Sequence, residues 1–101
     1  MNLDDKITNK IANYKELKLD IITDIAEKLY NKIDNELFTV IADSTIKVTI
    51  GTNHLMDDYF IKYSFYQLDK AVVNVLGDNY SLESVTRDTC FNIVLLIKKS
   101  N

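Results

Sequence analysis

Hydrophobic residues in the first third of the chain recur at helical spacing. Most are separated by three, four or seven positions, which places them on one face of an α-helix: Ile7, Ile11, Tyr14, Ile21, Ile22, Ile25, Leu29 and Ile33. Charged residues fill most of the opposite face, and neither glycine nor proline interrupts the segment. Asn2 is a suitable cap, and Asp4 and Asp5 fall in the positively polarised first turn. The pattern predicts one helix over residues 3–34.

That helix is too long for the domain it belongs to. Thirty helical residues span ~45 Å, whereas a compact domain of 101 residues is roughly 35 Å across. Either the helix breaks within residues 13–18, or another molecule covers its excess length. The simplest cover is the same helix of a second copy, related by a two-fold axis. We therefore expect a homodimer, with an interface that includes Ile7, Ile11, Tyr14, Ile21 and Ile25.

A β-hairpin follows the helix. Residues 37–42 are rich in β-branched and aromatic side chains, and residues 46–50 alternate strictly between apolar and polar side chains. Residues 43–45 supply the turn between them.

Residues 59–66 allow two interpretations. Their aromatic side chains alternate along the chain, which favours a third strand. A helix from Asn53 to Leu76 is the alternative, with Asp57 and Asp58 in its first turn. We take the strand as the prediction.

The last third of the chain predicts a helix and a second hairpin. Residues 68–76 match the helical template, and Gly77 stands where a left-handed residue ends a helix. The alternative is a hairpin turn at residues 77–79. Residues 80–86 and 90–97 then form two strands, of which the second is apolar on both faces, as in a central strand covered on both sides.

Together these elements predict one α+β domain over residues 1–101. Its element order is α-β-β-β-α-β-β, with the helices on one face of a mainly antiparallel sheet.

Composition narrows the class of protein only slightly. The net charge is -3, and Arg87 is the single arginine, which disfavours bidentate recognition of phosphate or guanine. The single cysteine, Cys90, excludes an internal disulfide. The charged N-terminus is unlike a signal peptide, and no apolar run reaches the ~20 residues of a membrane span, so we expect a cytoplasmic protein. The abundance of lysine, asparagine and isoleucine is typical of low-GC bacteria and their phages.

The sequence offers only weak candidates for a catalytic or metal-binding site. His54 with Asp57 and Asp58 is the one local cluster of metal-ligand type, and Cys90 has no neighbouring base in the sequence. Asp20 and Asp24 share a helical turn, a spacing typical of a charged surface. We therefore expect no enzyme activity, no cofactor and no metal.

The aromatic residues of the 59–66 segment are the most distinctive feature left. Interfaces between proteins are enriched in such side chains, so we expect Tyr59, Tyr63, Phe65 and Tyr66 to contact a partner protein. The expected function is a non-enzymatic protein-binding module of the adaptor, chaperone or phage-type inhibitor kind. The alternative is a single-stranded nucleic-acid-binding protein that uses sheet aromatics with Lys62 and Lys70.

Overall fold

The computed structural model describes residues 2–52 and 57–100. Within them, two helices and four strands follow one another as α1 (Leu3–Asp34), β1 (Thr39–Ala42), β2 (Thr45–Ile50), α2 (Asp58–Leu76), β3 (Tyr80–Arg87) and β4 (Ile93–Lys99). The predicted α+β class is confirmed, with the order α-β-β-α-β-β.

α1 is one continuous helix, and it does not break within residues 13–18. Its start is capped as predicted, because the side-chain oxygen of Asn2 accepts a hydrogen bond from the backbone N–H of Asp5 at 2.8 Å. Its end is closed at Asn35, whose backbone N–H donates to the carbonyl of Asn31. Glu36 then takes a positive φ of 58°, which turns the chain out of the helix.

Residues 59–66 belong to α2, so the predicted third strand is wrong and the helical alternative holds. Asp57 caps this helix, and its carboxylate accepts a hydrogen bond from the backbone N–H of Phe60 at 2.7 Å. At the other end, Gly77 has a φ of 106°, a conformation that glycine adopts without strain. The alternating aromatic residues therefore do not form a strand. Three of them, Tyr59, Tyr63 and Tyr66, lie on the exposed outer face of the helix.

The four strands form one antiparallel sheet in the order β1-β2-β4-β3. β4 pairs Leu95 with Val48 on one side and with Val85 on the other. It is central, as predicted, but it begins at Ile93, and residues 90–92 belong to the preceding turn.

One hydrophobic core lies between the two helices and the inner face of the sheet. Its buried members are Ile21, Ile25, Leu29, Val48, Ile50, Phe60, Leu68, Val72, Leu82, Ile93, Leu95 and Ile97. Along β4 these residues alternate with the half-buried Val94 and Leu96, which point to the other face of the sheet. The expectation that β4 is covered on both sides is therefore wrong, since both described helices pack on the inner face.

The molecule is elongated. Its extents are 56 × 30 × 21 Å, and its radius of gyration is 15.3 Å, against ~13 Å for a compact domain of this length. The excess length is α1, because every residue from 2 to 17 is exposed and the first buried residue of the helix is Ile21. We call residues 3–17 the overhang.

Candidate functional site

The overhang carries apolar side chains on the same face that α1 uses for the core. We call Leu3, Ile7, Ile11 and Tyr14 the apolar stripe. On a helical wheel, these four positions lie within about 40° of the direction of Ile25, which is fully buried. The exposed fractions of the four side chains are between 48% and 76%. The stripe is thus a continuation of the core face beyond the point where the rest of the domain stops covering it.

The structure separates the five residues predicted for a dimer interface into two groups. Ile7, Ile11 and Tyr14 belong to the exposed stripe. Ile21 and Ile25 are buried in the core of their own chain, so the prediction is corrected for these two. They pack against elements of their own chain and are out of reach of a second copy.

A second surface lies on the outer face of α2. Tyr59, Tyr63 and Tyr66 follow one another at steps of four and three, with exposed fractions between 55% and 71%. We call these three residues the tyrosine ridge. The rings of Tyr59 and Tyr63 are 4.7 Å apart between centroids. The fourth residue of the predicted partner surface, Phe65, lies nearer the side of the helix and is only 36% exposed.

Two lysines lie over rings of the tyrosine ridge. The ammonium of Lys62 lies 5.7 Å from the centroid of the Tyr63 ring, and that of Lys70 lies 4.8 Å from the Tyr66 ring. Both distances allow a cation–π interaction. Such contacts contribute about 0.5–1 kcal/mol at exposed sites, and the three tyrosines remain more than half exposed.

The apolar stripe and the tyrosine ridge meet at one depression. Its volume is about 480 Å³, and it is lined by Tyr14, Lys18, Asp57, Tyr59, Phe60 and Tyr63. A hydrogen bond of 3.3 Å from the ammonium of Lys18 to the carbonyl oxygen of Tyr63 ties α1 to α2 at this point. The sequence predicted both surfaces but gave no signal that they would adjoin, because that depends on how α2 packs along α1.

Charge is distributed unevenly along the overhang. Asp4 and Asp5 lie in its first turn, whereas Lys10 and Lys15 lie further along it and Lys18 follows. With Lys6 and Glu16 included, the first turn of the overhang carries a net charge of -1 and the rest of it a net charge of +1. This polarity matters for any helix that packs along the stripe.

The weak metal-ligand candidate formed by His54, Asp57 and Asp58 lies partly outside the described residues. His54 lies outside them, Asp57 is occupied as the cap of α2, and Asp58 forms a 2.8 Å ion pair with Arg87. Within residues 2–52 and 57–100, no group of three or more His, Cys, Asp or Glu side chains is placed to hold a metal ion. Asp24 pairs with Lys28 at 3.0 Å on the surface of α1.

Cys90 is exposed in the turn between β3 and β4, and not part of an apolar strand as predicted. The carboxylate of Asp88 organises this turn. It accepts hydrogen bonds from the side-chain amide of Asn92 and from the backbone N–H groups of Asn92 and Cys90. These bonds, the side-chain amide of Asn92 above all, hold the pKa of Asp88 below its usual value. The role of Asp88 is structural, since its acceptor sites are used within the turn.

Comparison with known proteins adds no relative: no protein-family model, no curated protein and no solved structure matches this chain. In the described part of the chain, neither helix combines the length and the apolar character that a bilayer span requires.

Proposed function

We propose that this chain is a non-enzymatic protein-binding module that acts as a homodimer. The observation that carries the proposal is the overhang, which extends an apolar helix face beyond the domain that buries the rest of that face. A contiguous apolar patch on a soluble domain is typical of an interaction site. Its continuity with the core face favours a helical partner that packs as the domain's own elements do.

The two surfaces have different roles in this proposal. The apolar stripe carries self-association, and the tyrosine ridge contacts a partner protein. Tyrosine is enriched at interface centres because it offers a large contact area with few rotatable bonds. The cation–π contacts of Lys62 and Lys70 reduce that freedom further. The module would act by occupying the surface of its partner, as small adaptors, chaperones and phage-type inhibitors do.

Light scattering coupled to size-exclusion chromatography tests the self-association. We expect twice the chain mass of 11.6 kDa at tens of micromolar, and a monomer for the double variant Ile7→Asp/Ile11→Asp. The matched control is Leu19→Asp, because Leu19 is exposed on the same helix but lies off the stripe. A wild-type chain that stays strictly monomeric at this concentration contradicts the proposal.

A pull-down from the native host, read by mass spectrometry, tests the tyrosine ridge. Three baits are compared: wild type, Tyr66→Ser, and Tyr30→Ser as the control, since Tyr30 is an exposed tyrosine of α1 outside the ridge. A partner retained by wild type and by Tyr30→Ser but lost by Tyr66→Ser supports the assignment. Equal retention by all three baits contradicts it.

Single-stranded nucleic-acid binding is the second candidate. It is supported by the two lysines that lie over exposed tyrosine rings, because bases stack on aromatic faces and lysines contact phosphates. The aromatics lie on a helix and not on the sheet, so the stacking platform first expected is replaced by a ridge. Binding of single-stranded RNA or DNA that weakens as salt rises would favour this candidate. An absence of binding at low salt would rule it out.

A cytoplasmic location completes the proposal. Cys90 is exposed and is the one cysteine of the sequence, and such thiols persist in reducing compartments. Thiol labelling of the protein isolated from its host checks this: a blocked Cys90 would contradict it.

A further inference from the structure

The direction in which two overhangs can pair is restricted by the shape of the molecule. The apolar stripe faces the same way as Ile21, Ile25 and Leu29, and those three residues are already covered by α2 and the sheet. In a parallel pair, the second halves of both α1 helices would face each other across the 8–10 Å of a helix contact. Both domains would then have to occupy the same space. A parallel pair is sterically excluded unless the helices splay apart and uncover the stripe.

An antiparallel pair has no such conflict. The overhang spans fifteen residues, or ~22 Å. With Ile7 of one copy opposite Ile11 of the other, each overhang lies along the uncovered part of the other helix. Each domain then sits beyond the tip of the other copy's helix. We infer that two copies pair antiparallel along their stripes, with the first turn of each α1 seated in the depression lined by Tyr14, Lys18, Tyr59 and Tyr63 of the other.

This inference rests on the self-association proposed above and adds its geometry. In the antiparallel register the tip of one overhang, at Leu3, reaches the level of Lys15 in the other copy. That level adjoins the depression, whose lining includes Tyr14 and Lys18. The tip of one copy therefore meets the place where the stripe and the tyrosine ridge of the other copy join. In this geometry Tyr59 and Tyr63 contact the second copy, and the partner surface of the ridge is narrowed to Tyr66.

One pair of charges in the overhang, Asp4 and Lys15, fits the same arrangement. Asp4 and Lys15 lie on one flank of the stripe, and in an antiparallel pair equivalent flanks meet. Asp4 of each copy is then placed beside Lys15 of the other. The first turn approaches Lys18 and also Asp57, whose carboxylate is engaged as the cap of α2. In a parallel pair Asp4 and Lys15 of the two copies would lie eleven residues apart along the helix axis, so this pairing would be lost. Antiparallel alignment also opposes the two helix dipoles.

The surface available is of the size that a stable dimer needs. The four stripe residues, with Tyr59 and Tyr63, are about half to three-quarters exposed. Side chains of these types together offer on the order of 700 Å² per copy, close to the ~800 Å² per partner of a standard specific interface.

Disulfide cross-linking of the full-length chain tests the orientation. In a Cys90→Ser background, an affinity-tagged Asp4→Cys variant is mixed with an untagged Lys15→Cys variant under mild oxidation. The antiparallel dimer predicts a mixed disulfide species as the main product. A Leu3→Cys variant alone probes the parallel arrangement, because only a parallel pair brings Leu3 of the two copies together.

The outcomes separate the inference from the proposal beneath it. A monomer in light scattering overturns the self-association, and the orientation with it. A dimer in which Leu3→Cys cross-links to itself, or in which the mixed disulfide does not form, overturns the orientation alone.

A charge exchange adds an independent readout: we expect Asp4→Lys to weaken dimerisation about fivefold to tenfold and the double variant Asp4→Lys/Lys15→Asp to restore it. No rescue by the second substitution counts against the pairing.

Discussion

At the scale of single residues, Ser64 stands out because its hydroxyl is fully buried in α2 without a hydrogen-bond partner among the described residues. An unpaired buried hydroxyl costs free energy, and alanine has the higher helix propensity. We expect Ser64→Ala to raise the free energy of unfolding by about 0.5–1 kcal/mol in urea denaturation. Ser81→Ala is the control, because Ser81 is exposed on β3 and should change stability by less than about 0.5 kcal/mol. A clear loss of stability for Ser64→Ala would mean that the hydroxyl is bonded in solution.

Phe91 is the second residue whose local conformation lowers the stability of the fold. It has a φ of 62°, a left-handed conformation that disfavours bulky side chains, and its ring is 69% exposed. Phe91→Gly and Phe91→Ala both remove the ring, but only glycine relieves the backbone strain. We therefore expect the glycine variant to be more stable than the alanine variant by about 1 kcal/mol, measured by thermal or urea unfolding. Equal stabilities would show that the turn changes conformation when the ring is removed.

At the scale of elements, the start of α2 depends on one side chain. The carboxylate of Asp57 accepts a hydrogen bond from the backbone N–H of Phe60 in the first turn of the helix. We expect Asp57→Ala to lower the free energy of unfolding by about 1 kcal/mol, whereas Asp57→Asn, which keeps a capping oxygen, stays near the wild type. Denaturation of the two variants side by side measures the difference. If alanine and asparagine behave alike, the cap does not hold the helix start.

The comparison of α1 with α2 shows what the sequence could predict. Both ends of α1 followed from its unbroken spacing and from the cap at Asn2, and the structure confirms them. The sequence predicts a strand for the first half of α2 because the two faces of this helix differ little in hydrophobicity. The buried face carries Phe60 as well as the polar Ser64, and the outer face carries the three tyrosines of the ridge, so aromatic side chains occur on both faces. Spacing alone could not separate this helix from an aromatic strand.

At the scale of the whole molecule, the mismatch between helix and domain followed from length alone. A continuous α1 had to extend past a domain of this size, and it does. Its split into a buried half and an exposed half did not follow, because that depends on where β2 and α2 contact α1. Helical spacing alone therefore predicts Ile21 and Ile25 in the dimer interface, although they belong to the core. For the same reason, the sequence alone does not predict that the apolar stripe adjoins the tyrosine ridge.

The exposed overhang leads to a prediction about the molecule as a whole. In a monomer, every residue from 3 to 17 is exposed, and isolated helices of about 12–15 residues are only marginally stable in water. Dimerisation would bury the stripe and so stabilise this half of α1. We expect the helical circular dichroism signal at 222 nm to decrease when the wild type is diluted through its dimer dissociation, by an amount that corresponds to at most half of α1.

Two variants make this measurement specific. Ile7→Asp/Ile11→Asp should show the low helical signal at every concentration, since its stripe cannot be buried. Leu19→Asp should follow the wild-type dilution curve, because that residue lies off the stripe. Suppose instead that light scattering reports dissociation of the wild type while its helical signal stays constant. The overhang would then be helical by its own propensity, and burial against a second copy would not be what stabilises it.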